Sequence, residues 1–212
     1  MCRLLYVKSK SQFEIVHYLQ QFAQIAKNSK EYQGHGLGLA YLCNGRWRFY
    51  KDIKPIWEDN LSEFGTTRLL LAHARSAFQH KDISVNNNMP FYDNKYVFIF
   101  NGELQGVRIK EMGRIGAEKI FNYIQRFNSQ NILLSIKKGL AILEKRARYI
   151  KAINFIIADK KAAYVVSYFN EDDDYFTLHY QQVQHHLVIC SEKLDETDGW
   201  VAIKNKTIRK FE

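Results

Sequence analysis

The chain opens Met1-Cys2. A start methionine before a small residue is usually trimmed in cells, and trimming would leave a thiol and a free α-amine on one residue. Together these make a nucleophile and a base. An α-amine titrates at about 7.7–8.0 and a free cysteine near 8.5, so at neutral pH the amine can take the thiol proton and later pass it to a leaving group. A thiol attacking an amide carbonyl creates an oxyanion. The Asn101 side chain and the Gly102 backbone N–H are donors suited to bind it. Arg75 is suited to hold a substrate carboxylate through two parallel hydrogen bonds. Each residue also has an ordinary reading. Cys2 could be a cysteine that happens to be second, Asn101-Gly102 a turn, Arg75 a surface ion-pair residue and His73 a core histidine.

The elements around these residues follow from periodicity. Arg3 to Val7 reads as a short buried strand. Ser11-Gln12-Phe13-Glu14 has the pattern of a capping box, opening a helix with Phe13, Val16, Leu19, Phe22, Ala23 and Ala26 on one face. Two strand-like runs joined by Asn44-Gly45 predict a hairpin. Leu69–Arg75 and Tyr96–Phe100 read as strands, the second running into Asn101-Gly102. Two amphipathic helices follow, one on Ala117, Ile120, Phe121, Ile124 and Phe127, the other on Leu133, Ile136, Leu140, Leu143 and Ala147. Strands are expected again at Ile153–Ala158, Ala162–Phe169, Tyr175–Tyr180 and His186–Cys190, with turns at Asp159–Lys161 and Glu171–Asp174. Hairpins rather than crossovers, with helices between two groups of strands, predict an α+β fold of largely antiparallel sheets. The run Asn154–Ala158 is apolar on both faces, as in a sheet covered on both sides. Cys2, Arg75 and Asn101-Gly102 all fall at strand ends, where one sheet edge could collect them.

With 2 prolines and 11 glycines in 212 residues, nothing suggests a linker, and the whole of 1–212 reads as one domain. The three cysteines are scattered without a C-x-x-C, which argues against a zinc ribbon or a disulfide framework. Cys43 and Cys190 read as buried small hydrophobes. The net charge of +9 is spread over the chain without interleaved aromatics, so it reads as solvated surface rather than a nucleic-acid platform. No signal peptide and no apolar run of about 20 residues is present, so a soluble, cytoplasmic protein is expected.

Taken in order, these segments resemble the class II glutamine amidotransferases, which belong to the N-terminal nucleophile (Ntn) hydrolases. Met1-Cys2-Arg3-Leu4-Leu5 is similar to that family's N-terminus, and Gly36-Leu37-Gly38-Leu39-Ala40-Tyr41 to its Gly-Trp-Gly-Ile-Ala-Tyr segment. His73-Ala74-Arg75-Ser76-Ala77 resembles His-x-Arg-x-Ala, Asn87 to Phe91 resembles Asn-x-His-Pro-Phe, and Phe100 to Leu104 resembles His-Asn-Gly-x-Leu. Gly113 to Glu118 stands in the place of Gly-x-Thr-Asp-Ser-Glu, and Cys190 to Leu194 resembles Ala-Ser-Glu-x-Leu. The resemblance implies a four-layer αββα sandwich of two stacked antiparallel sheets. It implies Cys2 as nucleophile with its freed α-amine as base, Asn101 and Gly102 as oxyanion hole, and Arg75 as carboxylate holder. Gly36 and Ser76 would line the substrate pocket. The reaction implied is attack on a side-chain amide, loss of ammonia and hydrolysis of a thioester, with no metal or organic cofactor. The partner implied is a small amide such as glutamine, with ammonia passing to a separate synthase. Three pocket positions depart from the pattern: an acid falls at Gly116, a threonine at Phe78 and a histidine at Met89. An amide other than free glutamine, a stand-alone amidohydrolase, or an inactive binding protein on the same fold therefore stay open.

Overall fold

The computed structural model describes residues 1–128 and 131–212. Strand β1 (Arg3–Glu14) runs into helix α1 (Ile15–Lys27), followed by the hairpin of β2 (Leu37–Cys43) and β3 (Arg46–Asp52). Then come β4 (Thr66–Ala74), β5 (Phe91–Tyr92) and β6 (Val97–Gln105), and helices α2 (Gly116–Gln125) and α3 (Ile132–Arg146). The chain closes with β7 (Tyr149–Ala158), β8 (Ala163–Ser167), the short α4 (Asp173–Phe176), β9 (His179–Val183), β10 (His186–Cys190), β11 (Val201–Ala202) and β12 (Thr207–Phe211). One sheet has seven strands in the order β11-β9-β10-β1-β4-β2-β3, the other five in the order β12-β8-β7-β6-β5. Neighbours run antiparallel throughout.

Alternation along β1 explains the stacking. Leu4 and Tyr6 join the core shared with the five-stranded sheet, while Leu5 and Val7 join a second cluster with Leu19, Phe22 and Ala26 of α1. β4 repeats this, with Leu69 and Leu71 facing inward and Leu70, Ala72 and Ala74 facing α1. Successive side chains on a strand point to opposite faces, so a sheet apolar on both must be covered on both. On the five-stranded sheet, Phe98 stacks on Phe121 of α2 with centroids 4.9 Å apart. Ile136, Leu140 and Leu143 of α3 belong to the same cluster. The result is the expected α+β sandwich, two antiparallel sheets between helices.

The hairpin forms at Asn44-Gly45, both at positive φ (50° and 71°), as a tight turn requires. Four local expectations fail. β6 runs on to Gln105, with Asn101 paired to Asn154 and Gly102 to Ile153 of β7, so Asn101-Gly102 lies inside a strand of the five-stranded sheet and not at a strand end on the edge that carries Cys2 and Arg75. β1 continues to Glu14, so Ser11 caps nothing, and Phe13 pairs with Thr67 across β4 instead of lying on the helix. Tyr175 sits on α4 rather than in a strand, because Asp172 adopts a left-handed conformation that starts a turn of helix. Cys43 is half-buried, while Cys190 is fully buried as expected.

Candidate active site

β1 and β4 bring the first groups together. Arg3 pairs with Ala74 and Leu4 with His73, so the start of β1 lies beside the end of β4. Extending the alternation of β1 places Cys2 on the inner side with Leu4 and Tyr6. The residue is 9% exposed, and its Sγ donates to the Ser76 carbonyl at 3.6 Å. Burial pushes the thiol's pKa up, while the N-terminal ammonium, the Ser76 hydrogen bond and Arg75 pull it partly back.

Asn101 and Gly102 come from β6. Because Phe98 faces α2, Asn101 lies on the opposite face, toward the seven-stranded sheet. His73 ties the two sheets here: its Nε2 is 3.3 Å from the Phe100 carbonyl. Burial, reinforced by Arg75, lowers the His73 pKa to about 3. The ring is therefore neutral at pH 7, and Nε2 must carry its proton to donate to that carbonyl. Asn101 is fully buried, and neither Nδ2 nor Oδ1 has a hydrogen-bond partner. An orphaned buried amide is destabilising by about 1–3 kcal/mol. Its unused N–H groups are donors for an oxygen arriving between the sheets. At Gly102 a Cβ would collide with the Ala152 carbonyl of β7, so only glycine allows this approach.

Arg75 is 5% exposed, which rules out a surface ion pair. Its Nη1 donates to Asn88 Oδ1 at 2.9 Å and to the Ser84 carbonyl at 3.5 Å, and its Nη2 to the Asp82 carbonyl at 2.9 Å. It thus pins the segment 76–90 that follows β4. Gly36, at φ 133°, accepts the Arg75 backbone N–H at 2.8 Å, and a Cβ there would strike the Asn88 amide and the Asp52 carbonyl. Cys2, Ser76, Arg75 and Gly36 therefore form one contact group, and His73, two residues before Arg75, ties β4 to β6 at Phe100, the residue before Asn101. No hydrogen bond joins the other three pocket positions to this group among the described residues. Phe78 is 61% exposed, and Met89 is buried in the core with its carbonyl against Gly38. Gly116 is exposed at the first residue of α2, with open space where a side chain would project.

Sequence reasoning missed the clamp on the Met1–Cys2 peptide. Gln33 Nε2 and the Tyr175 hydroxyl both donate to the Met1 carbonyl, at 2.5 and 2.6 Å. Gln33 Oε1 is buried without a partner. Arg3 lies over the Tyr175 ring at 4.1 Å, donates to the Tyr175 carbonyl at 3.2 Å and pairs with Glu192 at 3.0 Å. The one available signal was Arg3 itself, a charge inside an apolar strand. His35 was also missed: its Nδ1 accepts the Ala77 N–H at 2.9 Å, fastening the start of the same segment.

No protein-family model and no curated protein sequence matches the chain. Solved structures do. A glutamine aminotransferase class-II domain protein from Silicibacter pomeroyi aligns with a TM-score of 0.64 at 14% identity, over 99% of this chain and 94% of that one. A predicted glutamine amidotransferase from Pseudomonas aeruginosa aligns with a TM-score of 0.60 at 14% identity, over 99% and 97%. Glutamine phosphoribosylpyrophosphate amidotransferase from B. subtilis aligns with a TM-score of 0.66 at 15% identity. That match takes in 95% of this chain but 44% of that longer one. The sandwich that carries Cys2 at its inner edge has the fold of the class II glutamine amidotransferase domains.

Proposed function

We propose that the chain, read as one type 2 glutamine amidotransferase-like domain over 1–212, is an N-terminal-cysteine amidohydrolase acting on a side-chain amide. The observation that carries this reading is the partnerless Asn101 amide, buried on the face toward which Cys2 turns. After loss of Met1, the Cys2 α-amine takes the thiol proton and sulfur attacks the amide carbon. The carbonyl electrons move to oxygen, held by Asn101 Nδ2 and the Gly102 N–H. Collapse breaks the C–N bond, and the α-ammonium gives its proton to the departing ammonia. Water, deprotonated by the amine, then cleaves the thioester and restores the thiol. Arg75, with Gly36 and Ser76 around it, anchors the substrate carboxylate. Ammonia passes to a separate synthase, in the cytoplasm, where three free cysteines stay reduced. Among the described residues no helix is long and apolar enough to cross a membrane.

The test is the intact mass of native protein with and without a glutamine-analogue electrophile. The expected result is a chain lacking Met1 that gains one adduct, abolished in Cys2→Ala. An intact Met1 supports the inactive binding protein instead, and labelling that persists in Cys2→Ala at Cys43 or Cys190 means that Cys2 is not the reactive thiol.

Free glutamine is the weaker substrate in this scheme. Gly116 offers no carboxylate to an α-ammonium, and Glu118, two residues along, is paired with Arg114. A charge-assisted bond contributes about 1.5–3 kcal/mol, or roughly ten- to a hundred-fold in affinity. N-acylated glutamine should therefore exceed glutamine in kcat/KM, and Gly116→Asp should reverse the order. A strong wild-type preference for free glutamine, unmoved by Gly116→Asp, contradicts this pocket reading.

A further inference from the structure

A cleft of about 300 Å³ opens where the edge strands β3 and β5 meet α2, lined by Phe49, Lys51, Phe91, Tyr92, Arg114 and Glu118 among others. Lys51 pairs with Gly38, which pairs with His73, so the three form one row across the seven-stranded sheet. The Met89 backbone packs on Gly38 in the middle of that row, between Lys51 and His73.

Charge and shape in the cleft are unbalanced in a specific way. Arg114 is neutralised by Glu118, with Nη2 2.5 Å from Oε1. Lys51 has no carboxylate within 4 Å among the described residues. Its Nζ stands 5.4 Å from the centroid of Phe91, and the Arg114 guanidinium stands 5.6 Å from the same ring. Burial, then repulsion from Arg114, lowers the Lys51 pKa to about 8, and Glu118 offsets this only in part. The walls are aromatic: Phe49 and Tyr92 lie 5.1 Å apart and are each 40% exposed. The volume is at the small end of the range for small-molecule pockets.

We propose that this cleft binds a small aromatic anion, a ring bearing one carboxylate or phosphate, with the anion at Lys51 and the ring against Phe49, Tyr92 and Phe91. Two cations and one carboxylate leave a single positive charge to be met, which selects a single anionic group. The exposed rings favour a flat partner that stacks on them. An amine held partly desolvated gains from such a partner, because an adjacent anion restores its charged form.

The experiment titrates the full chain with benzoate, phenyl phosphate, inorganic phosphate and benzylamine by calorimetry. Benzoate or phenyl phosphate should bind with a Kd below about 1 mM, and the tighter of the two identifies the head group. Inorganic phosphate and benzylamine should bind at least about ten-fold more weakly. Lys51→Met keeps the apolar stem and should lose about ten-fold in affinity, whereas Lys51→Arg should retain binding. A second readout needs no variant: amine acylation at pH 8 should modify Lys51 early, and the aromatic anion should protect it. Equal binding of benzylamine or of phosphate alone, unchanged affinity in Lys51→Met, or no saturable binding with no protection of Lys51 would each overturn the proposal.

Discussion

At the residue scale, Asn101 separates catalysis from stability. Its amide is buried and unbonded in the resting protein, so removing it relieves a desolvation penalty rather than breaking a contact. In the reaction proposed here the same amide binds charge that exists only in the transition state. Asn101→Ala should therefore lower kcat by about 10²–10³ with a smaller change in KM, while thermal stability holds or rises. Steady-state kinetics and a melting curve on one preparation decide it, and an unchanged kcat removes Asn101 from the oxyanion hole. Cys2, Arg75 and Asn101-Gly102 could be named as candidates from the sequence, because their types suggest chemistry and their segments resemble a known family in order; that Asn101-Gly102 lies inside β6 rather than at its end was not readable. Gln33 and Tyr175 were not, since they meet the Met1 carbonyl from 32 and 174 residues away and their types are ordinary. Arg75 was half legible: the cation was evident, but not that its donors hold the carbonyls of Asp82 and Ser84.

At the element scale, the segment 76–90 shapes one wall of the Cys2 group, and Asn88 is its latch. Asn88 is fully buried, accepting from Arg75 at 2.9 Å and donating to the Asp52 carbonyl at 2.6 Å. Asn88→Ala removes both bonds and leaves a buried guanidinium short of an acceptor. Hydrogen bonds to charged groups contribute about 1.5–3 kcal/mol, so a loss of that order is expected in denaturant unfolding. Substrate affinity should fall as well, because Arg75 is no longer oriented. Asn87→Ala, which removes one bond to the Asp82 carbonyl, is the comparison and should change both quantities far less. Equal effects of the two would mean the segment is not latched at Asn88. Local chemistry made the β2–β3 hairpin readable, because Asn-Gly specifies its own turn. The overrun of β1 to Glu14 was not readable, since pairing of Phe13 with Thr67 overrode a capping pattern that is valid only in isolation. The short helix at Tyr175 was not readable either, since it starts from a left-handed Asp172 inside a stretch that reads as a turn.

At the scale of the whole molecule, the order of hairpins and helices indicated two antiparallel sheets, and alternation indicated faces covered on both sides. It could not show that β10 lies beside β1, because pairing between strands so distant in sequence is settled by packing. His73 is where the two sheets meet in a titratable group. Its ring is fully buried, neutral and bonded to the Phe100 carbonyl of the facing sheet. With its folded pKa lowered to about 3, the unfolded chain binds the proton first as pH falls below about 6.5. The stabilisation is thus complete above pH 6.5 and is lost progressively toward pH 3, at no more than about 1.4 kcal/mol per pH unit from this group. His35, His179 and His186 are also lowered by burial and act in the same sense. The measurement is therefore a difference, with denaturant unfolding of wild type and His73→Gln followed from pH 7.5 to 4.5. Glutamine keeps an N–H donor for Phe100 without the titration. The wild type should lose stability more steeply below pH 6.5, and the two profiles should run level above it. Parallel profiles through the acid range would mean that His73 is charged, or not buried, in the folded protein, and that the junction between the sheets lies elsewhere.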